Sequence, residues 1–257
     1  MKTFTPFRTR RLNAQLREMS IGDAIRLCNL PAAQQEAGTT EALKLIVIAD
    51  PQPRTGQIVD VRAWTVLERA MVMAHYLANI DDDPNFSVGD LNFSDYIRQG
   101  ADYAKDSVHV CDLAGDTWNM RPLLGADAEA IERLMLGDRI KLKGRNGWRV
   151  GAMAATLSRP SESVPSPLLV SDSEFDDWME ARLAIFMAFP DRIFISLLFN
   201  FLDTLPQLDH LLSLTFSDEG IVFLSTKLEG GPDLPPARFP FASLISEGAA
   251  AVFGKAQ

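Results

Sequence analysis

Residues 65–80, TVLERAMVMAHYLANI, carry the clearest helical pattern in the chain. Thr65 and Glu68 stand three positions apart, a spacing at which each side chain can bind the other residue's free backbone N–H at the start of a helix. Apolar residues then recur at helical spacing. The segment therefore predicts a helix with a buried face, and we expect the fold around it to be largely helical.

Two segments before this helix are also predicted to be helical. Ser20 followed by Asp23 is typical of an N-cap, and it opens a short helix that Pro31 closes. Residues 36–49 predict a second helix, although the β-branched run LIVI within them is also compatible with a strand.

The most apolar segment of the chain, residues 183–202, follows a second capping-box pattern formed by Ser171 and Glu174. A Pro-Asp-Arg sequence beginning at Pro190 divides this segment. Neither half reaches the roughly 20 residues that a bilayer span requires. We therefore expect two buried helices that meet at a kink, and no membrane partner.

Two segments change from helical spacing to alternation and predict β-hairpins around Gly turns, residues 108–122 and 214–224. A turn is expected at residues 144–147, with a helix beginning near Asn146. The predicted fold class is α+β, mainly α-helical, with two small β-hairpins.

The predicted domain organisation begins with a basic N-terminal arm at residues 1–17. A helical domain with one hairpin follows over residues 18–157, and a Ser/Pro-rich loop or linker over 158–173. Residues 174–257 are predicted to hold a helical hairpin, the second β-hairpin and an irregular C-terminal tail with a short helix near its end. One continuous domain over residues 18–257 is the alternative.

Charge is distributed unevenly along the chain. The first seventeen residues hold five basic residues and no acid, whereas the whole chain carries −9, so the remainder carries −14. We expect this arm to lie on the protein's own body, on a second copy or on a partner; an ordinary first strand is the alternative. The residues predicted to bind are Phe4, Phe7, Arg8, Arg10, Arg11 and Arg17.

The overall composition limits the class of protein. A pI near 4.9 argues against general nucleic-acid binding, which is typical of a basic surface. Cys28 and Cys111 lie far apart and form no disulfide framework, which is typical of a reducing cytosol. The N-terminus does not resemble a signal peptide, since no apolar run follows its charges.

A zinc site is not expected. His109 and Cys111 form the one close His/Cys pair, and alternation along a strand would place both on one face. A structural zinc site requires four such ligands. The remaining candidates, Cys28, His75 and His210, lack metal-site spacing.

A calcium site is not expected either. Asp81, Asp83 and Asn85 occupy the first, third and fifth positions of a loop that partly resembles an EF-hand. The sixth position is Phe86, where that loop requires Gly, and the twelfth is Asn92, where it requires Glu.

No catalytic or cofactor-binding motif is recognisable. The chain holds no G-x-S-x-G sequence and no phosphate-binding Gly-rich loop. His75 lies within the predicted helix of residues 65–80 and is expected at the edge of the core or at an interface. Glu129 and Glu132 share one helix face, and we expect both to be solvated. The sequence thus predicts a protein that is not an enzyme and binds no cofactor.

The layout of the chain resembles tailed-bacteriophage tail proteins, in particular baseplate hub and tail-assembly proteins. Four segments carry this resemblance: residues 4–27 (FTPFRTRRLNAQLREMSIGDAIRL), 64–78 (WTVLERAMVMAHYLA), 147–155 (GWRVGAMAA) and 234–246 (LPPARFPFASLIS). None of them is a mechanistic motif, and the resemblance supplies no catalytic residues.

The resemblance implies a structural component of a phage tail baseplate or tail tip, made in the host cytoplasm and carried in the virion tail. Its expected partners are other tail and baseplate proteins and copies of itself. A tail-assembly chaperone absent from the mature virion is the alternative. An enzyme with a site not visible in the sequence is the second alternative.

Overall fold

Within the residues that the structure describes, the chain forms eight α-helices and four small antiparallel sheets. The computed structural model describes residues 4–48, 58–80, 85–226 and 234–253. The helices are α1 (Ile21–Cys28), α2 (Gln35–Ile46), α3 (Val66–Ile80), α4 (Gly125–Leu136), α5 (Gly144–Thr156), α6 (Asp172–Met187), α7 (Asp191–Thr204) and α8 (Phe241–Phe253). The predicted class, α+β and mainly α-helical, is confirmed.

The strands are short, and in two of the four sheets they pair only with a close neighbour in the sequence. They are β1 (Phe7–Arg8), β2 (Asn13–Leu16), β3 (Val47–Ile48), β4 (Ser87–Val88), β5 (Leu91–Asn92), β6 (Val108–Leu113), β7 (Asp116–Met120), β8 (Leu157–Ser158), β9 (Ser213–Ser217) and β10 (Gly220–Leu224). The sheet orders are β1-β2-β3, β4-β5, β6-β7-β8 and β9-β10.

Both predicted hairpins are confirmed, as β6–β7 and β9–β10. The first turns through Ala114 and Gly115, whose φ angles of 54° and 88° suit a tight two-residue turn. The sequence allows strands in the N-terminal segment and in the LIVI run as alternatives, and β1, β2 and β3 form there. The β4–β5 sheet and strand β8 were not predicted, because strands of two residues show no alternation.

Reciprocal capping begins two of the helices, as the sequence predicts. At α3, the backbone N–H of Thr65 donates to Glu68 Oε2 at 2.9 Å, and that of Glu68 donates to Thr65 Oγ1 at 3.1 Å. At α6, Ser171 and Glu174 make the corresponding pair of bonds at 2.9 and 3.3 Å. These contacts satisfy backbone donors that a helix start leaves free.

Helix α4 packs against α2, α3, α5 and α6. Its small residues Ala128 and Ala130 are fully buried, so neighbouring helices can approach closely. On α5, a Cβ added at Gly151 would lie 2.8 Å from Cγ2 of Ile131, which leaves room there for glycine alone. Buried apolar side chains from Phe4 to Phe241 join in one hydrophobic cluster around these helices.

Two helix boundaries differ from those predicted. Residues 144–147 form the first turn of α5 instead of a separate turn, because Asp218 accepts a hydrogen bond from the backbone N–H of Arg145 at 2.9 Å. Helix α2 ends at Ile46, and the β-branched run is divided between this helix and strand β3.

The Ser/Pro-rich segment forms a loop without helix or strand between Ser158 and α6. Ion pairs attach the loop to two neighbouring elements, β7 and α6. Arg159 pairs with Asp116 of β7 at 3.1 Å, and Glu162 forms an ion pair with the buried Arg182 of α6. The loop therefore links the first hairpin to α6 through charged contacts.

Candidate functional site

The N-terminal residues form a ribbon on the body of the protein. Residues 4–17, here called the N-terminal ribbon, turn back at Thr9, whose hydroxyl accepts hydrogen bonds from the backbone N–H groups of Arg11 and Leu12 at 3.2 and 3.0 Å. Strand β2 then pairs with β3. The segment therefore lies on the protein's own body, which is one of the three expected placements, and it forms strands as the alternative expected.

The aromatic residues of the ribbon pack on α3. Phe4 is 2% exposed, and its ring lies 5.3 Å from that of Tyr76. The ring of Phe7 lies 5.6 Å from that of His75, which in turn donates from Nε2 to the carbonyl of Thr5 at 2.7 Å. His75 thus lies at the edge of the core, where one of the two predicted alternatives placed it.

The arginines of the ribbon also bind this same chain. Arg11 Nε lies 3.3 Å from Glu68 Oε1, and Arg17 Nη2 lies 3.2 Å from Asp23 Oδ2. The side chain of Arg8 donates to Asn13 Oδ1, and that of Arg10 stacks over the ring of Tyr103, 5.5 Å from its centroid. Five of the six residues predicted to bind therefore contact the body of this chain, and Arg8 contacts Asn13 within the ribbon. Partner binding through the exposed Arg8 and Arg10 stays a prediction.

Beneath the ribbon, three polar side chains from distant parts of the sequence meet. Thr65 Oγ1 lies 3.1 Å from His210 Nε2, and Glu68 Oε1 lies 3.9 Å from the same atom. The other ring nitrogen, Nδ1, lies 3.2 Å from the carbonyl of Leu208 and must donate to it, so Nε2 accepts from the threonine hydroxyl. Burial lowers the pKa of His210 and favours this neutral form.

The Thr65–His210–Glu68 cluster has the residue types of a catalytic triad, but a substrate cannot reach it. Each of the three residues is at most 2% exposed. A nucleophile must reach a substrate carbonyl, and a catalytic base must reach the proton that it removes. The cluster therefore serves to join α3 to the segment after α7.

A charged cleft of about 550 Å³ lies between α2, α4 and the start of α6. Glu132 of α4 accepts hydrogen bonds from the backbone N–H groups of Glu36 and Ala37, at 2.9 and 3.1 Å. It thereby caps α2, which has no side-chain cap of its own. Burial, and secondly the charge of Glu36, raise the pKa of Glu132 to about 7.

A buried arginine holds the floor of this region together. Arg69 is 1% exposed and donates to the carbonyl of Glu36 and to Thr40 Oγ1, both at 2.7 Å. Its Nη1 lies 3.9 Å from Glu129 Oε1. The expectation that Glu129 and Glu132 are solvated is wrong, since both are buried. Their cationic and backbone partners lie too far away in the sequence for helix spacing to reveal them.

The structure brings together no metal-ligand cluster among the residues that it describes. His109 is exposed, and its Nε2 lies 3.9 Å from Asp112 Oδ2. The strand register shifts between His109 and Cys111, so regular alternation does not hold there. Asp81 and Asp83, from the calcium pattern, lie outside the described residues.

One helix presents apolar side chains to solvent. On α7, Phe199 is 61% and Ile195 47% exposed, whereas Leu197 and Phe201 on the opposite side are buried. We call Arg192, Ile195, Phe199, Leu202 and Asp203 the α7 outer face. At the end of α6, Ile185 and Met187 are also exposed. Sequence reasoning missed this surface because it assigned the whole segment to the core.

Comparisons of the chain with protein-family models, curated proteins and solved structures found no match. None of the helices in the described part of the chain combines the length and the apolar character that crossing a membrane requires.

Proposed function

We propose that this protein is a structural component of a bacteriophage tail baseplate or tail tip that assembles through protein–protein contacts. Its partners are other tail and baseplate proteins and copies of itself, and its place is the virion tail. The resemblance of four segments to phage tail proteins supports the proposal at the level of sequence. An exposed apolar helix face supports it at the level of structure.

The observation that carries the proposal is the exposure of the α7 outer face and of the neighbouring end of α6. Aromatic residues and methionine are enriched at protein interfaces, and contiguous exposed apolar surface marks sites of association. Phe199, Ile195, Ile185 and Met187 are each about half exposed or more. A protein that assembles with others gains from burying these side chains, whereas an isolated protein gains nothing from exposing them.

Buried charged clusters support a scaffold role as well. Arg69 and Arg182 are almost fully buried and each bonds to a backbone carbonyl of another element, at 2.7 and 2.6 Å. Removing one member of such a cluster leaves a buried charge without compensation. These contacts fix the relative positions of the helices, as a component that must present a defined surface requires.

Mass spectrometry of purified virions from the phage that encodes this chain tests the proposal. We expect the chain at a fixed ratio to known tail-tip proteins through successive purification gradients. Presence in the infected-cell lysate together with absence from intact particles would contradict the proposal and favour the tail-assembly chaperone. Absence from both tails and assembly intermediates would favour a function outside assembly, such as the enzyme alternative.

A further inference from the structure

We infer that the α7 outer face binds the same face of a second copy of this chain, with the two α7 helices antiparallel. The inference rests on the proposed function, because that proposal assigns this surface to assembly. The inference adds which molecule occupies the surface. The argument for the second copy comes from the distribution of apolar and charged side chains along one side of the helix.

The two exposed apolar side chains of α7, Ile195 and Phe199, form a stripe on the side of the helix opposite the core. With 3.6 residues per turn, Ile195, Phe199 and Leu202 fall on the side of α7 opposite the buried Leu197 and Phe201. Phe199 is 61% and Ile195 47% exposed, whereas Leu202 at the edge of the stripe is half-buried and packs against the hydrophobic core. The stripe is narrow, as it is on helices that pack against one other helix.

Opposite charges border this stripe at its two ends. Arg192 lies in the first turn of α7 and Asp203 in the last, on the same side as Phe199. Neither side chain forms an ion pair with any residue in the described part of the chain. Eleven residues of helix separate the two by about 16 Å, too far for them to pair within one copy.

Each of these charges is placed where the dipole of its own helix opposes it. The N-terminal end of a helix favours negative charge and the C-terminal end favours positive charge. Arg192 and Asp203 have the reverse arrangement, although Asp191 in the same first turn follows the preference. An antiparallel second α7 removes this conflict, because it brings its own C-terminal end beside Arg192 and its N-terminal end beside Asp203.

The antiparallel arrangement also aligns the apolar residues. A two-fold axis near residue 197 places Phe199 against Ile195 of the second copy and Arg192 beside Asp203 of the second copy. The first pair is centred on residue 197 and the second between residues 197 and 198, so one axis serves both. A face that is complementary to itself in this way is what a two-fold dimer requires.

The length of α7 limits the expected affinity of the dimer. Helix α7 has 14 residues and spans about 21 Å. One helix pair of this length buries less than the ~1,600 Å² of a standard interface. We therefore expect a weak dimer of the isolated protein, with a dissociation constant on the order of 10–100 μM.

Sedimentation equilibrium of the purified full chain, alone and with charge reversals, tests the inference. We expect Arg192→Glu and Asp203→Arg each to weaken dimerisation at least about tenfold, because like charges then face each other. An equimolar mixture of these two variants should form a heterodimer of near wild-type strength, since its two end pairs are again opposite in charge. A double variant carrying both reversals should dimerise with itself.

Phe199→Ala and Leu169→Ala provide a matched apolar pair. Leu169 is 87% exposed but lies in the loop before α6. We expect Phe199→Ala to weaken dimerisation at least about tenfold and Leu169→Ala to leave it unchanged. Circular dichroism and thermal melting of each variant confirm that the monomer is folded.

The inference is overturned if the wild-type chain stays monomeric at 1 mM or if the Phe199→Ala variant dimerises as strongly as the wild type. It is also overturned if the equimolar mixture of the two charge-reversed variants fails to form a heterodimer. These results are independent of virion composition. A monomeric chain found in virions would overturn the antiparallel dimer alone, whereas a chain that dimerises through α7 but is absent from virions would overturn the proposed function alone.

Discussion

The N-terminal ribbon and the α7 outer face both combine aromatic residues with charges, but they use them in opposite ways. In the ribbon, Phe4 is buried against α3, and Arg11 binds Glu68 beneath it. On α7, Phe199 points to solvent and Arg192 has no ion pair within the described part of the chain. Clustered charge in a sequence therefore does not identify an outward surface, because the acidic partner can belong to the same chain.

Replacing one phenylalanine in each region gives the largest contrast. Phe4→Ala removes a buried ring and should lower the free energy of unfolding by about 3–5 kcal/mol. Phe199→Ala removes an exposed ring and should change it by less than about 0.5 kcal/mol. Urea denaturation at a protein concentration well below the dissociation constant of the dimer measures both changes. A loss of stability for Phe4→Ala as small as that for Phe199→Ala would show that the ribbon is not part of the core.

A pH series tests the buried acid Glu132. Because the pKa of Glu132 is raised to about 7 from its ordinary value of 4.5, the folded protein holds this proton more tightly than the unfolded chain does. Its contribution to stability is present below pH 4.5 and is lost as the pH rises through 7.

Glu132→Gln provides the control for that series. The wild-type free energy of unfolding, measured relative to this variant, should fall by on the order of 3 kcal/mol between pH 4.5 and 8. Urea denaturation of both proteins at each pH measures the difference, and other titrating groups cancel in it. A difference that rises with pH would mean that the folded protein favours the ionised carboxylate.

Removing one arginine from the ribbon tests its internal role. Arg11→Ala leaves the carboxylate of Glu68 buried without its cation, and should cost about 2 kcal/mol, because the arginine is partly exposed. Arg10→Ala, at an exposed position of the same ribbon, should cost less than about 0.5 kcal/mol.

A double-mutant cycle of Arg11→Ala with Glu68→Gln isolates the pairwise interaction. Glutamine keeps an acceptor for the backbone N–H of Thr65. A coupling energy near zero would mean that Arg11 serves the ribbon in some way other than through Glu68.

The smallest expected effect has the opposite sign. Arg192→Ala and Asp203→Ala should each stabilise the isolated chain by about 0.3–0.5 kcal/mol, because each removes a charge that the helix dipole disfavours. Thermal melting at concentrations well below dimerisation measures the change. A loss of more than about 0.5 kcal/mol would reveal a partner for these side chains within the same copy.

The local signals in the sequence predicted the local structure well. Thr65 with Glu68 and Ser171 with Glu174 mark two helix starts, because the capping partners lie three residues apart. The pairing of strand β3 with β2 and the burial of Glu132 depend on segments about 30 and 95 residues away in the sequence. No pattern within a helix or strand carries that information.

The α7 outer face was missed for a different reason. Residues 183–202 are apolar on every side, so periodicity cannot distinguish the face of Leu197, which is buried, from that of Phe199, which is exposed. The distinction depends on how much surface β6 and α5 cover.

Hydroxyl-radical footprinting, read out by mass spectrometry, tests most directly the claim that the ribbon is internal and α7 is the assembly surface. In the dilute isolated chain, Phe199 and Met187 should be oxidised much faster than Phe4, and in the assembled state Phe199 should become protected while the ribbon is unchanged. Protection that develops at Phe4 and Phe7 on assembly, with Phe199 still reactive, would contradict the account.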